Sequence, residues 1–138
     1  MKLFKSSEYA IRCLVFMAVS ECELCSVKRL SAELNIPFKY LGQLMGHLRE
    51  AGFVESVRGK NGGYRIARPL EEIRLEQIVD SVEGLKSYDR CILGFEQCDE
   101  NNPCPLHEFW SGPKESIQQM LAHVTLAQMV KSKGKKIS

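Results

Sequence analysis

No stretch of this 138-residue chain approaches the ~20 consecutive apolar residues of a membrane-spanning helix. The apolar run Leu14–Val19 is short, follows Arg12 closely and has no small-residue cleavage pattern after it. Neither an anchor nor a secretory leader is expected, and the chain reads as cytoplasmic with no membrane partner. Net charge is only +2, so bulk attraction to a polyanion is not implied and any nucleic-acid surface must come from local clustering. The run GKNGG does not have the G-x-x-x-x-G-K-[ST] spacing of a phosphate cradle. No nucleophile–base–orienter set is visible, which argues against an enzyme. No internal repeat is present, which excludes a solenoid.

Cysteine, by contrast, is plentiful, with six residues. In a reducing compartment these are ligands or free thiols rather than a disulfide framework. Three of them, with one histidine, fall in a single stretch, Cys91-x6-Cys98-x5-Cys104-x2-His107. Its Asn, Asp, Gly and Pro content excludes a regular strand or a long helix. Thiols gathered in such a loop suit a soft or borderline metal, iron or zinc. Cys13 reads as a small buried apolar residue. Cys22-x2-Cys25 has redox or metal spacing but no second pair and no strand–turn–helix context, so it reads as helix-end thiols.

The composition, 44% hydrophobic and 26% charged, is that of an ordinary globular domain. Residues 7–22 predict an amphipathic helix with Ile11, Leu14, Val15, Ala18 and Cys22 inward. Residues 27–34 predict a short second helix with Val27, Leu30 and Leu34 inward. After the Asn35-Ile36-Pro37 turn comes a third helix, with Pro37 at its first position, Phe38, Leu41, Leu44, Met45 and Leu48 in one stripe, and Gly52 as the stop. Two short helices across a tight turn fit a helix-turn-helix. FVESVR, the glycine turn and YRIAR then predict a β-hairpin, which makes the unit a winged helix. Residues 71–83 predict a further helix, and Pro113 is expected to open a last one with Ile117, Met120, Leu121, Val124 and Ala127 on one face. A terminal helix so apolar needs a cover, and antiparallel pairing with a second copy is the economical one.

The fold class expected is therefore mainly α with a small β-hairpin: a winged helix-turn-helix plus a long C-terminal dimerisation helix. The expected division is 1–83 for DNA binding, 84–110 for a cysteine-rich metal or cluster loop, and 111–138 for the dimerisation helix and a basic tail. On the third helix, Lys39, Gln43 and His47 lie opposite the apolar stripe and Tyr40 borders them. Gln pairs with adenine and Lys donates to guanine in a major groove, while Tyr40 can reach a phosphate. Gly42 and Gly46 leave bare backbone for a groove wall or a packed neighbour. Arg58, Lys60 and Arg65 surround the glycine-rich hairpin tip, which suits a phosphate backbone or a narrow minor groove. Lys28, taken singly, reads as a solvated side chain, and it joins the candidate set only through its place on the helix-turn-helix.

The opening MKLFKSSEYAIRCL, the helix IPFKYLGQLMGHLREAGFVES, the wing VRGKNGGYRIAR, LEQIVDSVEG and the cysteine loop follow one another over roughly residues 1–130. In that order they resemble the iron–sulfur-sensing winged-helix repressors of the Rrf-two family. The resemblance implies a homodimer on a pseudo-palindromic operator in double-stranded DNA, with the state of an iron–sulfur cluster, [2Fe-2S] or [4Fe-4S], altering affinity in response to redox, nitric oxide or iron status. It implies that Cys91, Cys98 and Cys104 ligate the cluster, that Arg58 enters a minor groove, and that Tyr40 and Gln43 lie on the recognition surface. The fourth ligand is either His107, beside Cys104, or Glu8, which in other members reaches the cluster across the dimer. Without a ligand role, His107 is a surface histidine and Glu8 a first-turn dipole partner or an ion pair with Arg12. Pro37, Lys39 and Gly42 depart from other members, so the operator sequence does not transfer. Zinc is the alternative metal, although these gaps exceed the usual two-to-four spacing of zinc pairs. A structural zinc or a thiol-based sensor on the same winged helix is the alternative function.

Overall fold

A computed structural model describes residues 2–20, 23–96, 99–134 and 136–137; Cys22 and Cys98, both singled out above, lie outside them. The first helix, α1, is Lys5–Val19, two residues earlier at its start than the periodicity suggests, and it ends where the Ser20 N–H reaches the Phe16 carbonyl. Its buried face is also rotated: Ser7, Ala10, Cys13, Leu14 and Met17 are inside, whereas Ile11, Val15 and Ala18 are half-buried. The cause is that α1 is packed by several other elements at once, so a single stripe does not describe it.

Helix α2, Val27–Leu34, starts where the Ser26 hydroxyl accepts from the Arg29 N–H at 3.1 Å. It stops at Asn35, whose left-handed φ of 54° is one that Asn tolerates. Helix α3, Phe38–Glu50, buries Leu41, Leu44, Met45 and Leu48. Pro37 caps it from outside rather than opening it, and Phe38, expected inward, is 58% exposed. Gly52 stops the chain at φ +84°. Arg68 closes this end of α3: its guanidinium donates to the Ala51 carbonyl at 2.8 Å and the Gly52 carbonyl at 3.1 Å while stacking on Phe53.

Strands β1, Val54–Val57, and β2, Gly63–Ile66, form the antiparallel hairpin, with Val54 opposite Ile66 and Glu55 opposite Arg65. Cys25 extends the ladder by exchanging two backbone bonds of 2.8 Å with Tyr64. A Cβ at Gly63 would lie 2.8 Å from the Cys25 backbone, so only glycine permits this approach.

A one-turn 3-10 helix, Leu70–Glu72, precedes α4, Leu75–Val82, four residues later than the expected start. The delay is non-local in origin. Leu75 N–H donates to the Val124 carbonyl at 2.8 Å and Leu126 N–H to the Ile73 carbonyl at 2.7 Å, holding the intervening backbone extended. A second 3-10 turn, Lys86–Tyr88, leads into the cysteine segment. Helix α5 spans His107–His123, so Pro113 lies inside it rather than at its start, and the Phe109 carbonyl loses its usual donor. At Val124 the chain turns extended, and Thr125 with Gln128 forms a reciprocal cap for α6, Leu126–Lys131. The C-terminal apolar stretch is thus two helices: α6 folds back on α1, and α5 stands against α4.

The main core joins α1, α2, α3, the hairpin and Leu126. Full burial of each large apolar side chain there, such as Leu30, Leu41 or Leu48, contributes about 1.5–3 kcal/mol. A smaller core of Leu75, Val79, Tyr88 and Leu121 fixes α5 and the root of the cysteine segment to α4. Among the described residues no helix is long and apolar enough to cross a membrane.

Candidate nucleic-acid interface and cysteine site

Because the apolar stripe of α3 is buried, its other face is left to solvent. Lys39, Gln43 and His47 are exposed on it, and Lys28 is exposed on α2. Apart from the helix's own backbone and adjacent residues, nothing among the described residues lies within 4 Å of a Cβ placed at Gly42 or Gly46, so that bare backbone is left unpacked by them. Tyr40 is half-buried, its ring 5.7 Å from Tyr9 in an edge-on contact. Burial first, then Tyr9, raises the Tyr40 hydroxyl above its ordinary pKa, so it stays a neutral hydrogen-bonding group at physiological pH. Arg58 and Lys60 are exposed at the hairpin turn. Arg65 lies further down the strand, ion-paired with Glu55 opposite it, and so faces along the hairpin rather than at its tip.

In the cysteine segment, the Cys91 and Cys104 sulfurs lie 3.4 Å apart. That is too long for a disulfide of about 2.05 Å and within reach of one shared centre, since metal–thiolate bonds run to about 2.3 Å. Cys91 is buried, and the Leu93 N–H points at its sulfur at 3.4 Å. That N–H lowers the Cys91 pKa against the opposing effect of burial, and Cys104 and the N–H groups of Phe95 and Gly94 add to it. Backbone donors arranged around an anionic sulfur are what a thiolate-held metal or cluster requires. In Cys13 the opposite holds: burial, only partly offset by Arg12, pushes its thiol up to about 12 and leaves it an apolar core residue.

His107 is the first residue of α5, its backbone N–H bonded to the Cys104 carbonyl at 3.0 Å. Glu8 lies in the first turn of α1, where Lys5 approaches it at 3.5 Å, rather than pairing with Arg12. Among the described residues no three of His, Cys, Asp and Glu converge. The structure brings Cys91 and Cys104 together, with His107 at the start of the adjoining helix and Glu8 on the first turn of α1.

A cavity of about 310 Å³ opens beside Cys91, lined by Lys2, Phe4, Tyr88, Arg90 and Trp110 among others. The Trp110 indole N–H is buried and finds no hydrogen-bond partner among the described residues. Two residues here escaped the sequence reading. Glu83 accepts from the Phe4 N–H and the Ser7 and Tyr88 hydroxyls, and Tyr88 is in turn buried. The available signal was the segment LEQIVDSVEG, whose glutamate follows a helix and precedes a glycine; nothing local says that its partners lie at the chain's start.

The family model described as Rrf2, iron-dependent transcriptional regulator, matches residues 3–132. The transcriptional regulator IscR of Yersinia pseudotuberculosis is 31% identical over 131 residues, covering 94% of this chain and 79% of its own. Among solved structures, the oxidized form of Staphylococcus aureus CymR superposes with a TM-score of 0.75 at 27% identity, covering 98% of this chain and 100% of that one. T. potens IscR gives 0.72 at 29% identity, over 95% and 87%. These matches agree with the winged helix built above, and they name regulators rather than enzymes. With its hairpin wing, its exposed recognition face and a family match over nearly its whole length, the chain belongs to the Rrf2 family of DNA-binding transcriptional regulators.

Proposed function

We propose that this regulator is a homodimeric repressor whose affinity for a pseudo-palindromic operator is set by an iron–sulfur cluster in the 84–110 segment. The observation that carries the reading is the Cys91–Cys104 pair, 3.4 Å apart and supplied with backbone N–H donors. Cys91, Cys98 and Cys104 would hold the cluster, with His107 as the fourth ligand and Glu8 as its rival across a dimer. When bound, the cluster supplies a centre that oxidants, nitric oxide or iron scarcity can remove. The two-iron and four-iron forms both suit three thiolates and one other donor.

DNA is read by Lys39, Tyr40 and Gln43, with His47 and Lys28 flanking and Arg58 and Lys60 in the wing; Arg65 contributes once released from Glu55. The two bare glycines of α3 support close approach to a groove wall. The dimer contact is assigned to α5, where Phe109, Pro113, Ser116 and Met120 fall on one exposed face. Phe109 is 74% and Met120 49% exposed, so a second copy gains buried apolar area there. The division into 1–83, 84–110 and 111–138 follows these roles except at α5, which begins at His107 and carries the dimer face across the 110/111 boundary.

Anaerobic purification, followed by the visible spectrum and by iron, sulfide and zinc analysis, tests the reading. A charge-transfer band with iron and sulfide, both lost in Cys91→Ser with the fold intact, is the expected result. A colourless protein with stoichiometric zinc makes the site structural. A second reading is favoured by the same sulfur contact and by the likeness to CymR in an oxidized form. Without metal, two adjacent thiols can lose two protons and two electrons to a peroxide or another disulfide and bond to each other. A colourless, metal-free protein that loses two thiols on mild oxidation supports that thiol sensor.

A further inference from the structure

One carboxylate joins the cysteine segment to the DNA-reading elements. Glu83, just past α4, accepts with one oxygen from the Phe4 N–H at 2.9 Å and from the Ser7 hydroxyl. Its other oxygen accepts from the Tyr88 hydroxyl at 2.8 Å. Ser7 is wholly buried and Tyr88 is 5% exposed, so these donors have no ready access to water as a substitute. Tyr88 sits three residues before Cys91 and belongs to the small core under α5. Two residues beyond Ser7, on the same helix, Tyr9 meets Tyr40 of the recognition helix at 5.7 Å. The Tyr88 carbonyl and Asp89 are also tied to Gln118 and Lys114, but those bonds run to α5 and not to the DNA-binding unit.

We propose that Glu83 is a positioning residue that couples the state of the 91–107 segment to the placement of α3, gripping the start of α1 with one oxygen and Tyr88 with the other. This rests on the reading above that the segment changes state. A rearrangement that draws Cys91 moves Tyr88. Tyr88 shares the carboxylate with Ser7 and the Phe4 amide, and α1, a 15-residue rod, delivers the shift to Tyr40 through Tyr9. Contiguous packed and hydrogen-bonded groups of this kind carry coupling only if they have two arrangements, so the test must read coupling itself.

Tyr88→Phe removes one hydroxyl and leaves Glu83 bonded to α1, so the fold and metal content should match wild type; Glu83→Gln is the second variant. The probe is a duplex selected for binding to this chain from a random library. Two ratios are measured in the full-length protein: duplex affinity with the segment metal-loaded over metal-free, and the alkylation rate of the metal-free Cys91 and Cys104 thiols with duplex over without. In wild type the affinity ratio is expected in the range of about 5- to 150-fold. In both variants both ratios should fall to about one, with metal content unchanged and the fold retained at the assay temperature, any loss of stability being that of one buried hydrogen bond. Wild-type ratios retained in Tyr88→Phe overturn the proposal. If loading leaves wild-type affinity unchanged, the metal reading fails, and the alkylation ratio then decides alone. A duplex-dependent rate that Tyr88→Phe abolishes supports the Glu83 joint, and a rate indifferent to duplex or to the substitution overturns it.

Discussion

The winged helix and the cysteine segment are built to opposite rules. Over residues 5–82 the large apolar side chains are mostly inside, each helix end has an identifiable stop, and even an arginine, Arg68, is used to close one. Among the described residues of 91–106, Ile92, Leu93, Phe95 and Leu106 are all exposed, and only Cys91 is buried. The first region folds on its own apolar area. Among its described residues the second has little of it, and on the proposed reading its order would come from whatever joins its sulfurs. The proposed switch would need that division, because a part that changes must be separable in energy from the part that reads DNA.

Substitutions in the two regions should therefore diverge, and the largest effect belongs to the core. Leu48→Ala is expected to destabilise the metal-free protein by about 2–5 kcal/mol, read by urea denaturation. A loss below 1 kcal/mol would mean that the two regions do not differ as described. Arg58→Ala should weaken duplex binding by about 1–3 kcal/mol with the same urea midpoint as wild type, because its side chain is exposed at the hairpin turn. Unchanged affinity would remove the wing from the interface.

The core should also sense alkali. Cys13 is raised from 9.0 to about 12 in the fold, so above pH 9 the unfolded chain releases a proton that the native one keeps. Its contribution is whole below pH 9 and is lost at about 1.4 kcal/mol per pH unit as pH rises towards 12. Cys13→Ala should flatten that part of the stability profile. The smallest effect is expected for Phe95→Ala, within about 0.5 kcal/mol, since the ring is more than half exposed. A larger loss would show that the segment has apolar packing of its own.

The same contrast governs what could be read without coordinates. The helix-turn-helix and hairpin follow from local rules: Ser26 as a cap, Asn35 and Gly52 as left-handed stops, and glycines between β-rich flanks. Periodicity misplaced residues where two surfaces compete for one helix. It turned Ile11 and Val15 of α1 fully inward, and it placed Phe38 inside when the helix start leaves it outside. The late start of α4 comes from backbone bonds to residues fifty positions away, which no window can see. The end of α5 was readable in principle, because Thr125-x-x-Gln128 is a capping pattern, whereas the apolar repeat through Val124 and Ala127 hid it. For the site, the spacing of cysteines identified the segment, and Cys91 and Cys104 do meet. The Glu83 joint depends on contacts more than seventy residues apart in sequence and left no local trace.

The chain has a single tryptophan, and it forms part of the wall of the cavity beside Cys91. All indole fluorescence of the protein therefore originates beside the cysteine segment, with none from the DNA-reading half to dilute it. A coloured centre on the sulfurs would absorb that emission by energy transfer, and a zinc ion or a disulfide, colourless where indole emits, would not. The regulator is thus its own optical gauge, and binding, loss or exchange at the cysteines can be followed in real time without a label.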